Sequence, residues 1–162
     1  MANGRQYGRR GSGSGRDAGG FIALPWSVVD SDAYRGLSHT ARSLLLEVAR
    51  QFVSDNNGRL LLSFRYMKTR GWKSADTLNR AKAELLAAQL IFETAKGGFP
   101  NNASWYAVTW QALDRLDGYD HGAQQAFPRG GYRNRPKLVA SGGAKRSQNS
   151  ALAPRDRHLA AA

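Results

Sequence analysis

The sequence predicts an α+β domain, and three patterns predict it. Ala41, Leu44, Leu45, Val48, Ala49 and Phe52 recur at the helical period behind a capping Ser38. A second stripe, Leu78, Ala81, Leu85 and Ala88, follows Ser74 in the same way. Directly after it, "LIFETA" (90–95) and "SWYAVTW" (104–110) alternate as strands do, around a "KGGFPNNA" loop.

Each element has its own local reason. "FIALPWSVVDSDAYRGL" begins apolar, and Pro25 suits the first turn of a helix, so a short helical piece is expected over 27–34. In the helix behind Ser38, the residues Arg42, Glu47 and Arg50 fall on other faces than the apolar stripe. "SDNNGR" (54–59) is a turn in which Asn57-Gly58 supplies the positive-φ positions. "LLL" (60–62) is too short for a helix and reads as a strand. Ser63 caps a short helix, "FRYMKTR", which Gly71 ends in the left-handed position. Ser74 caps a longer one, from Ala75 to about Gln89. In the second hairpin strand Tyr106, Val108 and Trp110 share one face, and Trp105, Ala107 and Thr109 the other. "QALDRLDG" is read as a closing helical turn. Trp26, Trp72, Tyr106 and Trp110 are assigned to the core, Trp105 and Phe99 to the exposed side or tip of the hairpin.

Length and charge set the organisation. A chain of 162 residues has room for one modest domain. Its net charge of +12 is uneven: residues 1–20 hold four arginines and one aspartate, and residues 117–162 hold eight Lys/Arg against three aspartates. Both ends have almost nothing to bury and are read as disordered basic tails, with Tyr132, Leu138 and Val139 too scattered to form a core. That leaves 21–116 as the folded unit. Excess positive charge favours a polyanionic partner, most often nucleic acid. The absence of cysteine excludes disulfides, Cys-based zinc sites and thiol nucleophiles, and suits a reducing cytoplasm. No apolar run approaches the roughly 20 residues of a membrane span, and the N-terminus lacks the apolar core of a signal peptide. The expected location is cytoplasmic, on the nucleoid, with no membrane partner.

The helix after Ser74 has the chemistry of a base-reading element. Asp76, Asn79, Arg80 and Ala83 lie opposite the Leu78/Ala81/Leu85 stripe, so one face anchors while the other presents polar and basic groups. Arg80 can bridge guanine O6/N7, and Asn79 can pair with adenine N6/N7. Thr77 and Ser74 suit a phosphate or a thymine methyl, and Lys73 with the helix N-terminus suits a phosphate. Lys68, Arg70 and Lys82 supply backbone contacts; Lys96, Asn101 and Asn102 place the hairpin against backbone or minor groove. Asp76 also complements the positive end of the helix dipole.

Taken together, the order helix, strand, helix, tight turn, helix, hairpin resembles the winged helix-turn-helix domains of bacterial, phage and plasmid regulators and replication-associated proteins. The resemblance spans roughly Phe21 to Trp110 and rests on "FIALPWSVVDSDAYRGLSHTARSLLLEVAR", "NNGRLLLSFRYM", "SADTLNRAKAELLAAQLI" and "WYAVTW". It implies that the first segment packs beneath the first long helix, that Ser74, Thr77, Arg80 and Glu84 belong to a recognition helix, and that the hairpin is a wing. Trp72 stands where a smaller aliphatic is more usual.

Other chemistry is not encoded locally. His39, His121 and His158 are far apart, without metal-ligand spacing, and Asp30/Asp32 and Asp117/Asp120 read as caps or loop ends. "GSGSG" (11–15) lacks the flanking strand and helix of a phosphate loop. No catalytic residue, metal or cofactor is assigned, and no enzyme is expected. The expected function is sequence-specific double-stranded DNA binding, as a dimeric repressor with no small-molecule effector. Alternatives are a plasmid or phage replication or partition accessory, or a winged-helix protein-interaction module. A weaker one is single-strand or RNA binding by the tails, where "RGGYRNRPK" (129–137) mixes Arg, Gly and Tyr.

Overall fold

The computed structural model describes residues 20–98 and 102–134, an α+β arrangement of helices with a three-stranded antiparallel sheet. Two one-turn helices, α1 (Trp26–Val29) and α2 (Asp32–Arg35), take the place of the single short piece expected there. Ser31 separates them: its Oγ accepts from Tyr34 N, capping α2, and donates to Val28 O at the end of α1. The long helices α3 (His39–Gln51) and α5 (Ala75–Ala87) flank β1 (Leu60–Leu61) and α4 (Phe64–Thr69) in sequence. Ser38, Ser63 and Ser74 each cap the helix that follows, through a side-chain oxygen that accepts from the N3 backbone N–H.

Two helix ends share one geometry. At the end of α4, Gly71 N donates to Lys68 O and Trp72 N to Met67 O, with Gly71 at φ +91°. At the end of α5, Gln89 N donates to Leu86 O and Leu90 N to Leu85 O, with Gln89 at φ +53°. Both are Schellman endings. The second puts a side-chain-bearing residue in the left-handed region, and Leu85 and Leu90, both fully buried, form its hydrophobic closure. The chain turns there directly into strand β2 (Ile91–Ala95), which pairs with β3 (Trp105–Val108). The sheet order is β1-β3-β2, with Ile91 opposite Val108 and Leu60 opposite Tyr106.

The core lies between the helices and one face of this sheet. Leu44, Leu45 and Val48 of α3 meet Leu78, Ala81 and Leu85 of α5, with Met67 from α4 and Leu60, Ile91, Tyr106 and Val108 from the sheet. The expected stripes are thus buried, except that Phe52 is only half-buried. Trp72 and Trp110 pack against the cluster. Trp26 is a correction: it is 80 % exposed, because the one-turn α1 turns Val28 inward instead. The opening apolar segment is likewise outward at Phe21 and Ile22, and Leu24 is its contribution to the core.

The larger correction concerns the expected boundary at residue 116. The chain beyond it continues as part of the fold up to Asn134, through α6 (Ala123–Ala126) and a 3-10 turn over Gly131–Asn134. Tyr132, assigned above to a disordered tail, is 1 % exposed and belongs to the core; its hydroxyl lies 3.2 Å from Ser27 Oγ. This segment covers the second face of the sheet. Phe127 meets Phe92 edge-to-face at 5.7 Å, Asp120 N donates to Thr94 O, and Gly130 N donates to Thr109 O. Ala107 and Thr109, expected on an outer face, are therefore fully buried. Residues 111–116 are irregular and not the expected helical turn. The expected tail 1–20, except Gly20, and the tail from 135 onward lie outside the described residues.

The turn expected at Asn57-Gly58 is real, but its residues divide the work differently. Gly58 has φ +127°, and a Cβ there would collide with the Tyr119 hydroxyl. Asn57 is not in the left-handed region; it is fully buried, and its amide bonds to β3 and to the covering segment.

Two outcomes are expected from this packing. Tyr132→Ala should lower stability by about 3–5 kcal/mol, the range for removing a buried aromatic, and a chain ending at residue 116 should unfold at still lower urea. Asn57→Ala should cost about 2–4 kcal/mol, since it strands buried backbone groups of Val108 and Ala112, and urea unfolding reads this directly.

Candidate functional site

The rotation of α5 about its axis is fixed from two sides. Leu78, Ala81 and Leu85 are buried in the core. Glu84 reaches to the start of α3, where its two oxygens accept from Ser38 N and Ser38 Oγ at 2.9 Å each. With these anchored, Asp76, Asn79, Arg80 and Ala83 are exposed, and Lys73 is exposed immediately before the helix. Ser74 is exposed and engaged as the cap, while Thr77, whose N–H it receives, is half-buried. The face expected to present polar groups is therefore the solvent face of α5.

Its charges are not independent. Arg80 Nη2 lies 2.9 Å from Asp76 Oδ2, an i,i+4 pair with side chains 73 % and 77 % exposed. Arg70, expected on DNA backbone, donates from Nε to Glu47 Oε2 at 2.8 Å and so links the end of α4 to α3. That bond and the Glu47 charge raise the Arg70 pKa further above its ordinary value. Lys68 is exposed in the last turn of α4. Lys82 is half-buried, its ammonium 6.0 Å from the centroid of the Tyr106 ring. Arg65, exposed in α4, is a further cation that the sequence reading passed over. Between residues 64 and 83 the chain carries six cations and a single acid, Asp76.

Asn101 and Phe99 lie outside the described residues. Asn102 pairs with Gly98 through two backbone hydrogen bonds of 3.0 Å, and Lys96 N donates to Asp120 Oδ2 at 2.8 Å. The hairpin is thereby tied to the covering segment just below its tip. Trp105, expected to be exposed, is only partly so: the Arg59 guanidinium lies 4.9 Å from its ring centroid, and Gly118 packs at the ring edge. Arg59 also donates to Asp117 O, so this ring is engaged within the fold.

Set against protein-family models, characterised proteins and solved structures, the chain matches nothing in any of the three. Among the described residues no helix is long and apolar enough to cross a membrane.

Two features of this site had different visibility in the sequence. The Asp76–Arg80 pair stands at i,i+4 spacing and is legible there. The Ser38–Glu84 contact joins residues 46 positions apart and leaves no local signal.

One group behind the site makes a pH dependence. The Tyr106 hydroxyl donates to Glu93 Oε1 at 3.1 Å, and its pKa is pushed up from 10.0 to about 12. Burial is the main cause; the Glu93 charge adds to it, and a bond with Ser104 opposes it. The folded state therefore favours the neutral phenol. Its contribution is fully present below pH 10.0 and is lost as pH rises towards about 12. Thermal melting across that window should show a shallower fall for Tyr106→Phe than for the natural chain.

Proposed function

We propose that the chain is a sequence-specific double-stranded DNA-binding protein built as a winged helix-turn-helix. In this reading α4 and α5 form the helix-turn-helix, α5 is the recognition helix, and the β2–β3 hairpin is the wing. The observation that carries it is the division of α5. One face is anchored by Leu78, Ala81, Leu85 and Glu84, while Asn79 and Arg80 stand exposed in its first turns beside Lys73. A helix held in this way can enter a major groove without reorganising, and residues of its first turns then meet base edges. The sheet order β1-β3-β2, with the hairpin following α5 directly, supports the same reading.

Arg80 is the residue suited to guanine O6/N7, Asn79 to adenine, and Lys73 with the start of α5 to a phosphate. Lys68, Arg65 and Lys82 add backbone attraction, and Lys96 and Asn102 bring the wing to the flanking groove. Arg70 contributes chiefly through its hold on Glu47. One unit of this kind reads only a few base pairs, so the protein acts as a homodimer on a two-fold site. Its biological role on that reading is repression, by occupying promoter DNA at the nucleoid.

Selection from random double-stranded oligonucleotides with the full chain, at about 0.15 M salt, tests the proposal. Enrichment of one palindromic motif is the expected result, and failure to enrich any motif sinks it. Arg80→Ala should cost roughly 1–3 kcal/mol at the preferred site and relax one base position. Lys73→Ala should instead weaken binding to all sequences and lower the salt slope by about one. Fluorescence anisotropy titrations over a salt series separate the two.

A further inference from the structure

The carboxylate of Asp76 is out of place on a DNA-facing surface. Of the two acids in α5, Glu84 is turned away onto Ser38, whereas Asp76 stands on the exposed face with Arg80, one turn after the exposed Lys73. Stability does not account for its pairing with Arg80, because exposed i,i+4 pairs contribute little. A carboxylate in the first turn does complement the helix dipole. That role needs no arginine four residues on.

We infer, on the basis of the DNA-binding reading above, that Asp76 is the specificity-determining positioning residue for Arg80. Two consequences follow from the 2.9 Å contact between Arg80 Nη2 and Asp76 Oδ2. First, it restrains a long side chain that otherwise samples many rotamers and holds the guanidinium over the first turns of α5. A guanidinium has five donors in a rigid fork, so it keeps Asp76 and still meets two acceptors on one base edge. Second, the carboxylate opposes the nearest non-target alternative. On a random sequence, Arg80 gains most by swinging to a phosphate, which means leaving Asp76 unpaired beside another anion. At a target site the arginine keeps its partner. Asp76 thus penalises non-specific binding more than specific binding, and its gain is in the ratio of the two.

The test uses the full chain and measures affinity for the selected motif and for random duplex over a salt series. Asp76→Asn should raise affinity for random duplex about five-fold, as expected for removing one nearby charge. It should also steepen the salt slope by about one and lower the specific-to-random ratio. Asp76→Glu, which retains the charge at i,i+4 reach, should restore most of that ratio. In an Arg80→Ala background, Asp76→Asn should no longer change the ratio, because the effect runs through Arg80. A melting temperature lowered by Asp76→Asn with an unchanged ratio would reduce Asp76 to a dipole partner and overturn the inference. A natural chain that prefers one motif while Asp76→Asn keeps its ratio overturns this inference and leaves the DNA reading standing. A natural chain with no preferred motif overturns both.

Discussion

The fold hangs on the buried side chain of Asn57. Its amide donates to Val108 O and Ala112 O and accepts from Val108 N, so every contact it makes is with backbone more than fifty residues away. Its own backbone is held as well: N donates to Asp114 Oδ2, and O accepts from Asp114 N and from the Tyr119 hydroxyl. A primary amide is the side chain that can give and take in one plane, which β3 and the following loop require together. Asn57 therefore fastens the turn before β1, the last strand of the hairpin and the start of the covering segment at one point. Gly58 belongs to the same junction, since its bare backbone leaves room for the Tyr119 hydroxyl.

The covering segment follows from that fastening. Residues 111–134 cross the outer face of the sheet and return to the first helices, where Tyr132 enters the core near Ser27. A three-stranded sheet with strands this short would otherwise expose one face, and Ala107 and Thr109 would meet water. Here the sheet is a middle layer, with helices on one side and the segment on the other. The hairpin is stiffened where it leaves the body, because Lys96 and Thr94 both bond through their backbone to Asp120. In the proposed complex this sets the position of the wing relative to α5 before DNA arrives, which lowers the ordering cost of binding.

The sequence made the helical half of this structure legible, and physical range explains the limit. Periodicity located α3 and α5, and single serines located their starts, because these signals act within four residues. Gly71 and the alternation in "SWYAVTW" were equally local. The covering segment was not legible, since its anchors are backbone groups and single side chains separated by dozens of residues. Tyr132 sits in a stretch whose composition, rich in Arg and Gly, is that of a disordered tail. Trp26 failed in the opposite sense: its apolar character argued for burial, but a one-turn helix has room to bury only Val28. For the candidate site, the exposed face of α5 could be read from its helical period. The partners of its charges could be read only at i,i+4, where Asp76 meets Arg80, and not across the fold, where Glu47 meets Arg70 and Glu84 meets Ser38.

In the proposed complex, those three acids give the cations of the basic surface different tasks. Glu47 draws Arg70 into the joint between α3 and α4, where the pair holds the two helices together. Glu84 uses its charge on the N–H and hydroxyl of Ser38, at the positive end of α3, and so fixes which face of α5 turns outward. Asp76 is the third acid and stays with Arg80, the cation assigned to a base edge in the proposed complex. In the proposed complex Lys68 and Lys73, with no acid of this set paired to them, supply attraction that is indifferent to sequence. A surface made of lysines and arginines only would bind any duplex in proportion to its charge. Pairing one arginine within the surface while leaving the lysines exposed divides attraction from reading, and in the proposed complex that division is what turns a basic helix into a selective one.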